Sequence, residues 1–576
     1  MPLINGALQI GRNAILTAQA ALQVAGNNMA NAATPSFSRQ RVQLTPTQLS
    51  EVVPGKFSGT GVRILDIRRM VDDALNGRIR TAQSETSSFE VQQQALVRAE
   101  ATFNELTDVD LSSRLSQFFA SWERLQTEPS NSTIRSNVLT EGGSLANYIR
   151  ETRDDLFSIQ KDLDAQVRFH VGEADRLAFQ IAELNSQVVT SESGRPGSSA
   201  ALRDQRDELL KELSTLMSIT TQETDAGAVN VYLGNLPLVE NARSRGLKFE
   251  EEVDGNGTLL SRVLFKDNDG EIELTSGKIH GLLVSRDQHI EGLLVDLDEW
   301  ASSLILEVNQ LHALGQGQQG FAAVTSLNNV IDPDASLADT AVSNLSWPVT
   351  NGVFNINTFN ADGSIKETQQ INVRIGIDGN DTTLNSLIAE INSKFPSGDI
   401  TASLDGANHL HITTNSSAVT FNFSAPDPSS ATNVLAVLGV NTYWQGDIAK
   451  NIEVSGVLDE AHLAASSDGQ PTSGDIAGII AGLANTGAAS LNGTSLADHF
   501  TNMIGRLGTD SRSAQDNFIA SDVVVKMLEA ERQSVSGVSM DEEAVNLITF
   551  QRMMQGSSRF ISIIDQLMDD VIALAR

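Results

Sequence analysis

The C-terminal stretch, from residue 538 to the end, places the strongest constraint on how this chain can fold. Ser539 and Glu542 form a capping-box sequence, and the acidic residues beside Glu542 suit the positive end of a helix dipole. Apolar residues then recur three and four apart to the end of the chain, with one seam at Leu547, Phe550, Met554, Ser557, Ile561, Ile564, Met568, Val571 and Ala575. Further apolar residues widen this seam at Met553, Phe560, Leu567 and Leu574. Because one helix cannot bury such a stripe by itself, the pattern predicts a helix of roughly 45 Å that packs on a partner.

Residues 2–31 have a matching pattern. Their heptad seam alternates large side chains with small ones, at Ile4, Leu8, Gly11, Ile15, Ala18, Leu22, Ala25 and Met29. The first fifty residues contain three arginines and no Asp or Glu, whereas residues 541–576 contain six acidic residues and three arginines. Complementary apolar faces and charge therefore predict that the two ends pack together, although two ordinary core helices would show the same periodicity.

Composition excludes several classes of function. The chain has 576 residues, a formal net charge of −32 and a pI near 4.5, which argue against binding to nucleic acid or to anionic membranes. It contains no cysteine, so disulfides, thiol catalysis and thiolate metal sites are excluded. No apolar run reaches the ~18 residues of a membrane span, and the N-terminus lacks the pattern of a Sec-type signal peptide. We therefore expect neither a nucleic-acid partner nor insertion into a membrane.

The sequence contains no recognisable catalytic motif. Zinc-protease, serine-hydrolase, Walker and dinucleotide-binding patterns are all missing. His409 and His411 share one face of a predicted strand, but without a nearby carboxylate they are expected to be exposed strand residues and not metal ligands. Residues 267–270 have part of a calcium-loop pattern but lack its twelfth-position glutamate, so a hairpin turn is expected there. We expect no enzyme activity, no catalytic residue, no metal and no cofactor.

Periodicity predicts a multidomain fold, mainly α with β modules. Helical patterns dominate residues 66–325 and 468–534, with predicted helices at 111–126, 143–189, 202–219, 285–314, 475–484, 496–506 and 513–533. Alternation with a period of two, interrupted by turn signals, predicts a small β region at about 228–277. The expected domains are a coiled-coil inner domain of terminal helices (1–65 with 535–576), a long-helix bundle domain (66–325 with 468–534) and a strand-rich outer domain (326–467), which includes a helix at 384–394.

Two segments resemble signatures of the bacterial flagellar axial family, which comprises rod, hook and hook-associated proteins. NNMANAATPSFSRQRVQL at 27–44 is similar to the N-terminal signature, and SGVSMDEEAVNLITFQRMMQGSSRFISIIDQLMDDVIAL at 536–574 is similar to the C-terminal one. The residues that carry the resemblance are Asn28, Ala30, Asn31, Thr34, Ser38, Arg39, Gln40, Ser536, Gly537, Val538, Asp541, Glu542, Glu543, Phe550 and Gln551. Ser38, Arg39 and Gln40, together with segments 111–135 and 307–320, are most similar to the members that join hook to filament.

The resemblance implies a structural component of the bacterial flagellum that forms the junction between hook and filament. Self-assembly would use the terminal helices, with interface residues Ile4, Leu8, Ile15, Leu22, Met29, Leu547, Phe550, Met554, Phe560, Ile561, Ile564, Leu567, Met568 and Val571. The implied partners are further copies of the chain in a ring or tube, the hook protein, a second hook-associated protein, and an export chaperone on the C-terminal helix. Flagellar type III export and an extracellular place in the flagellum are implied as well.

Two alternative interpretations remain. Within the same family, the chain could be a hook, distal-rod or filament protein. From a different class, a phage-type fibre or a secreted coiled-coil adhesin would also have heptads in an acidic, cysteine-free chain. A fibre or adhesin is expected to form a parallel oligomer in solution, whereas an axial protein is expected to be a soluble monomer whose ends are loosely ordered.

Overall fold

The computed structural model describes residues 2–34, 36–53, 55–103, 110–193, 199–252, 261–376, 380–427 and 430–574. Its α-helices are α1 (Pro2–Ala30), α2 (Asp73–Phe103), α3 (Leu111–Thr127), α4 (Ser132–Ser191), α5 (Ala200–Leu216), α6 (Lys278–Val284), α7 (Glu291–Ala313), α8 (Thr340–Ser343), α9 (Leu384–Lys394), α10 (Val434–Leu438), α11 (Asp475–Gly482), α12 (Leu496–Ser536) and α13 (Met540–Leu574). Its strands are β1 (Gln40–Pro46), β2 (Leu49–Val53), β3 (Lys56–Gly59), β4 (Val62–Arg69), β5 (Thr220–Glu223), β6 (Val229–Leu233), β7 (Leu236–Glu240), β8 (Arg243–Ser244), β9 (Leu247–Glu250), β10 (Arg262–Phe265), β11 (Ala323–Thr325), β12 (Gly352–Phe359), β13 (Ile365–Val373), β14 (Ile400–Leu404), β15 (Leu410–Thr414), β16 (Thr420–Ser424), β17 (Trp444–Gln445) and β18 (Glu453–Val454). Long helices with small antiparallel sheets confirm the expected fold class, mainly α with β modules.

The chain forms two compact units. Unit 1 comprises Met1–Gln94, Asp162–Asp287 and Ser511–Arg576, and unit 2 comprises Ala95–Lys161 and Gln288–Asp510. Both terminal helices, α1 and α13, belong to unit 1. Each unit therefore combines segments that are far apart in the sequence.

In unit 1, α4 carries the apolar stripe that its sequence predicts. The buried residues of this stripe include Val167, Val171, Ala174, Leu177 and Ile181. Asn185 of α4 is also buried, and its amide donates to the Val229 carbonyl of β6 at 2.8 Å while accepting the Val229 N–H at 2.9 Å. Alternate residues of β6 are buried, and β6 is the second strand of the β5–β6–β7–β8 sheet. Strands β5 to β10 lie within, and a few residues before, the segment where the sequence predicts a small β region.

Large aromatic side chains fill the centre of unit 2. Trp122, Trp300, Tyr443 and Trp444 are fully or almost fully buried. The rings of Trp122 and Tyr443 meet edge to face at 5.2 Å, a favoured arrangement of aromatic pairs. The indole N–H of Trp300 donates to the Leu496 carbonyl at 2.9 Å, so its burial leaves no unpaired donor. This arrangement fixes α3 and α7 around one dense core.

His312 of α7 is buried in the same core and is held in one tautomer. Its Nε2 accepts the N–H of Ala464 at 3.0 Å, and its Nδ1 therefore carries the proton that it donates to the Asn441 carbonyl at 2.8 Å. Burial lowers the pKa of His312 to about 4, with nearby Arg135 acting in the same direction against the Asn441 bond. The ring is consequently neutral at pH 7.

Residues 313–440 of unit 2 enclose a strand-rich core. Its two sheets have the strand orders β13–β12–β16 and β11–β15–β14, all antiparallel. The apolar residues buried there include Phe354, Ile371, Leu387, Phe421 and Phe423. Helix α9 begins at a capping box of Thr383 and Ser386 and has the bounds that the sequence predicts.

Three helices differ from the predicted ones. Helix α12 is continuous, although the sequence suggested two helices separated at 507–512. Gly508 and Ser511 have low helix propensity, but tertiary packing outweighs it because Leu507, Ser511 and Ala514 are buried. Helix α4 starts at Ser132, well before the predicted residue 143.

The third difference concerns the helix predicted at 285–314. A π-helical turn, Ser285–Ile290, precedes α7. Arg286 of this turn is buried and donates to the carboxylate of Asp164 and, at 2.9 Å, to the Ser261 carbonyl. Insertion of a residue into the helical turn is a common way to direct a side chain inward, and here it satisfies a buried guanidinium.

Candidate assembly interface

The terminal helices α1 and α13 pack against each other along their predicted seams. In α1 the small seam residues Gly11, Ala18 and Ala25 are buried, and the large ones at Leu8, Ile15, Leu22 and Met29 are half-buried. The side chain of Ile4 lies outside the described part of the chain. A Cβ atom at Gly11 would lie 2.6 Å from Cγ1 of Ile561, which is closer than van der Waals contact. The small residues therefore permit the close approach of the two helices that the sequence predicts.

On α13 the predicted seam is only partly covered. The half-buried interface residues are Leu547, Phe550, Met554, Ile561, Ile564 and Met568. Phe560, Leu567 and Val571 are exposed, with 39%, 50% and 43% of their surface accessible. Ala575 and the side chain of Leu574 lie outside the described residues. Helix α1 thus covers one side of the α13 stripe and leaves the other side in water.

Arg39 connects the N-terminal signature to the C-terminal one. Its Nε and Nη2 donate to Oε1 of Glu543 at 2.8 and 2.7 Å, and its Nη1 donates to Oε2 of Glu542 at 2.7 Å. Its backbone N–H donates to the Ser536 carbonyl at 3.1 Å. Although burial lowers the pKa of Arg39, the bonds to the two carboxylates outweigh it and raise that pKa above its ordinary value. The Glu543 side chain is only 3% exposed, so Arg39 is the cation that pairs with this buried carboxylate.

Asn28 fixes the path of the chain after α1. Its amide nitrogen donates to the Gln40 carbonyl at 2.9 Å, and its Oδ1 accepts the Gln40 N–H at 3.0 Å. This reciprocal pair holds the start of β1 against the last turns of α1. We use the name terminal clasp for the six residues Asn28, Arg39, Gln40, Ser536, Glu542 and Glu543. All six belong to the signatures, so the structure gives those signature residues a common physical role.

The other signature residues lie around the terminal clasp or away from it. Asn31 donates its amide to the Asn27 carbonyl at 2.9 Å and accepts the Thr34 N–H at 2.9 Å, which ends α1 in a turn. A Cβ atom at Gly537 would lie 2.2 Å from the Gln533 carbonyl oxygen, so the link from α12 to α13 requires glycine. Ser38 hydrogen-bonds Asp204, and Val538 is half-buried. The residues outside the terminal clasp that the structure leaves exposed are Ala30, Thr34, Asp541 and Gln551.

The β1–β4 ribbon packs on α1. Thr17 donates to the Val62 carbonyl at 3.4 Å, and Gly61, at φ +105°, lies against Ile10. An open groove of about 1300 Å³ lies between this ribbon, α1 and the start of α13. Leu65 and Val545 line it and are more than half exposed. The apolar residues Val42 and Leu44 in β1, and Val62 and Ile64 in β4, alternate with polar ones, and this alternation could have indicated the ribbon from the sequence.

The acidic and histidine side chains of the described residues were compared with the ligand sets of metal sites. The part of the chain that the structure describes contains no group of three or more such residues placed to hold a metal ion. His409 pairs with Asp405 at 2.9 Å, so the expectation that no carboxylate lies near it was wrong, and His411 pairs with Thr325 at 2.8 Å. At the 267–270 turn, Asp267 bonds Arg245 at 2.8 Å. Among the described helices, none is long and apolar enough to cross a membrane.

Comparison with known families gives the class of protein that this fold and interface represent. Residues 96–324 match the model of the flagellar hook-associated protein FlgK helical domain. Residues 529–574 match the model of the flagellar basal body rod FlgEFG protein C-terminal segment, which covers the end of α12 and all of α13. The resemblance predicted from the two signatures is confirmed, and the chain is a structural protein of the bacterial flagellum.

The particular relatives are named flagellar hook-associated protein 1. The chain is 25% identical to that of Bacillus subtilis (strain 168) over 589 residues, which cover 98% of this chain and 97% of the relative. It is 24% identical to that of Salmonella typhimurium over 588 residues, covering 99% of both chains. Among solved structures, the flagellar hook junction protein FlgK from Burkholderia pseudomallei covers 80% of this chain and 100% of its own, with a TM-score of 0.49 and 16% identity. This chain is thus similar to flagellar hook-associated protein 1 over nearly its whole length.

Proposed function

We propose that this chain forms the junction between hook and filament, and that its copies associate through α1 and α13. The observation that carries the proposal is the incomplete burial of the α13 seam, which leaves Phe560, Leu567 and Val571 exposed after α1 has packed. Exposed apolar stripes of this kind mark surfaces that bind other proteins. The similarity to flagellar hook-associated protein 1 over nearly the whole chain supports a hook–filament position.

The terminal clasp gives the assembly its geometry. It ties the start of α13 to the residues that follow α1, so the two helices share one register in every copy. A fixed register presents the same exposed stripe each time, which is what identical subunits need in order to repeat one contact around a tube. The predicted interface residues of α1 and α13 remain the residues of this proposed contact.

Partners and export route follow from the same proposal. The neighbours would be further copies of this chain, the hook protein and a second hook-associated protein. The chain would leave the cell through the flagellar type III apparatus to its extracellular position, with a chaperone shielding the α13 stripe before assembly. An exposed apolar stripe on the last helix supports the chaperone, because such a surface would otherwise associate too early.

We propose no catalytic role for this chain and a division into three domains. The relatives are structural flagellar proteins, which supports a purely structural role. The divisions at residues 65, 325, 467 and 534 are part of the proposal, with the strand-rich 326–467 segment as the outer domain. Its apolar core, which includes Phe354 and Phe423, supports treating it as a folding module of its own.

Electron microscopy of a strain that lacks the gene tests the function directly. We expect hooks without filaments, together with flagellin shed into the medium, because the filament would have nothing to attach to. Complementation with the full-length chain should restore filaments. Intact filaments on the deletion strain would contradict the junction function.

Ile564→Asp tests the interface within the same system. Ile564 is half-buried on the α13 seam, so an aspartate there would place an unpaired carboxylate in the assembled contact. This costs more than the roughly 2–7 kcal/mol of burying an unbonded neutral polar group. We expect a chain that folds and is secreted but is not incorporated at the hook tip, as measured by immunoblot of purified hooks. Ser562→Asp, two residues away on the exposed face, is the matched control and should be incorporated. Normal motility of the Ile564→Asp strain would refute the role of the seam.

A further inference from the structure

Two short links connect the terminal elements to the rest of unit 1. We use the name terminal region for helices α1 and α13 with strands β1 to β4. One link, residues 70–72, runs from β4 to α2, and the other, residues 537–539, runs from α12 to α13. Arg39 contacts the start of each link, because its carbonyl accepts the Met70 N–H at 2.8 Å and its N–H donates to the Ser536 carbonyl at 3.1 Å. The two links therefore lie side by side and form one narrow neck.

The helices on the other side of the neck pack firmly on one another. Leu75 and Ile79 of α2 and Leu528 of α12 are buried in one apolar cluster. Lys211 of α5 donates to the Glu529 carboxylate of α12 at 2.9 Å, so α5 belongs to the same base. Neither link contains helix or strand, and hinges between rigid elements work through dihedral changes in a few residues of this kind. The neck thus has the construction of a hinge.

A buried cluster of charged side chains spans this neck. Arg69, the last residue of β4, donates through Nη1 to Oδ1 of Asp204 at 2.6 Å and to Oδ2 of Asp207 at 2.8 Å, both on α5. Ser38, which precedes β1, also hydrogen-bonds Asp204. The Arg69 and Asp204 side chains are only 10% and 12% exposed, so their separation would leave nearly buried charges unpaired. We refer to Arg69, Asp204 and Asp207 as the neck lock.

An open cleft of about 770 Å³ adjoins the neck lock, and Asp204 lies on its wall. The cleft separates the end of α1 from α4 and α5. Its lining is rich in side-chain amides, at Asn27, Asn31, Gln180, Gln187 and Gln205. A cleft lined in this way resists a change of width less than an apolar contact would, because widening it exposes little apolar surface. The terminal region is thus held to α5 at the neck lock and has room to move beside it.

We propose that Arg69, through Asp204 and Asp207, holds the neck in the one orientation of the terminal region that assembly uses. This inference rests on the proposed function and names positioning residues for it. The terminal clasp sets the register of α1 and α13, whereas the neck lock sets the direction in which that pair leaves α5. Identical copies can repeat one contact only if both are the same in every copy. A buried ion pair suits this task, because removal of one partner from such a pair is strongly unfavourable.

A pair of spin labels measures this orientation in the full chain, which has no cysteine of its own. Gln19→Cys on α1 and Glu85→Cys on α2 are both exposed sites, and double electron–electron resonance gives the distribution of distances between their labels. We expect one narrow distribution in the otherwise unmodified chain and a clearly broader one after Arg69→Gln. Arg69→Lys should restore the narrow distribution, because a single nitrogen of Arg69 makes both contacts and an ammonium can take its place. Arg68 is 62% exposed and pairs with Asp66 at 3.0 Å, so Arg68→Gln is the matched control and should leave the distribution narrow.

The same variants without labels test whether assembly needs the neck lock. We expect Arg69→Gln to be secreted but lost from purified hooks, as measured by immunoblot. Arg69→Lys and Arg68→Gln should be present there at the level of the unmodified chain. Hydrogen exchange of α1 and α13 in Arg69→Gln should match that of the unmodified chain, which separates a change of orientation from unfolding of the terminal pair.

Four results would overturn the proposal. A narrow distance distribution in Arg69→Gln, or a broad one in the unmodified chain, would show that the neck lock does not fix the orientation. Faster exchange throughout α1 and α13 in Arg69→Gln would show that Arg69 supports their folding and not their direction. Incorporation of Arg69→Gln at the normal level would reject the use of the neck lock in assembly and leave the proposed function intact. Absence of the unmodified chain from hooks would reject the proposed function as well.

Discussion

The centre of unit 2 and the terminal pair of unit 1 bury their apolar residues to different degrees. In unit 2, Trp122, Trp300 and Trp444 are completely or almost completely buried, and the Trp300 indole has a hydrogen-bond acceptor. In the terminal pair, α13 has large seam residues that are half-buried or exposed, and the fully buried seam positions of α1 are Gly11, Ala18 and Ala25. The two regions have equally regular sequence patterns, so the difference arises from the number of neighbours that one chain supplies.

This difference indicates which region is fully stabilised in the isolated chain and which region gains stability only on assembly. Truncation of a side chain in a dense core lowers the free energy of unfolding in proportion to the volume removed, because the surrounding residues relax only partly. The same truncation in a half-covered seam destabilises the monomer little. It destabilises the assembled state much more, because a neighbour then covers the seam. The terminal pair is thus a surface whose burial is completed by assembly, and the four predictions below test that view from the largest effect to the smallest.

Trp300→Ala should have the largest effect on the isolated chain. It removes a fully buried side chain and should lower the free energy of unfolding of unit 2 by about 3–5 kcal/mol. Ile561→Ala, in the terminal pair, should cost only about 1 kcal/mol because Ile561 is half-buried in the monomer. Urea unfolding followed by circular dichroism and tryptophan fluorescence measures both. Equal losses for the two variants would remove the distinction between a complete core and an incomplete seam.

Arg39→Ala tests the terminal clasp, whose ion pairs and hydrogen bonds already form within a single chain. It leaves the buried Glu543 carboxylate without its guanidinium, and since Arg39 is partly exposed we expect a loss of about 2 kcal/mol, less than for a fully buried pair. Hydrogen exchange should show faster exchange of the first turns of α13. Arg41→Ala, an exposed neighbour, is the control and should leave that exchange unchanged. Unchanged protection in Arg39→Ala would mean that the terminal clasp does not hold α13.

His312 makes the stability of unit 2 depend on pH in a definite direction. Its pKa is about 4 in the folded chain and about 6.5 when unfolded, so between these values the unfolded chain binds more protons. The stabilisation is complete above pH 6.5 and is lost as the pH falls towards 4, by about 2 kcal/mol at pH 5. In His312→Gln this part of the pH dependence should disappear when unfolding at pH 7.5 and pH 5 is compared. If both proteins lost the same free energy of unfolding between pH 7.5 and pH 5, His312 would not be the source of this pH dependence.

The smallest effect concerns two glycines of α1. Gly26→Ala meets nothing within 4 Å and should stabilise the helix by about 1 kcal/mol through propensity alone. Gly11→Ala has the same propensity gain, but its Cβ would collide with Ile561, so we expect a net loss or no gain. The midpoint of thermal unfolding should therefore rise for Gly26→Ala and fall or stay unchanged for Gly11→Ala. Equal stabilisation would show that α1 and α13 are not in close contact at Gly11.

Much of the local structure could be predicted because it depends on residues close in sequence. The heptads located α1 and α13, the helix predicted at 384–394 has the bounds of α9, and the buried stripe of α4 lies where the periodicity placed it. The break predicted inside α12 was wrong because Gly508 lowers propensity only locally, while burial of Leu507 and Ala514 sustains the helix. The β1–β4 ribbon was not identified because its pairing partners are separated along the chain.

The sequence by itself determined that the two ends are amphipathic helices with complementary faces and charges. It determined this because helical periodicity and net charge are properties of consecutive residues. Only the tertiary structure decided that Arg39 reaches Glu542 and Glu543 across some five hundred residues, and that the α13 seam remains half open. The burial of a side chain depends on which distant elements pack against it. A local sequence pattern does not show how much of an apolar stripe those elements leave exposed.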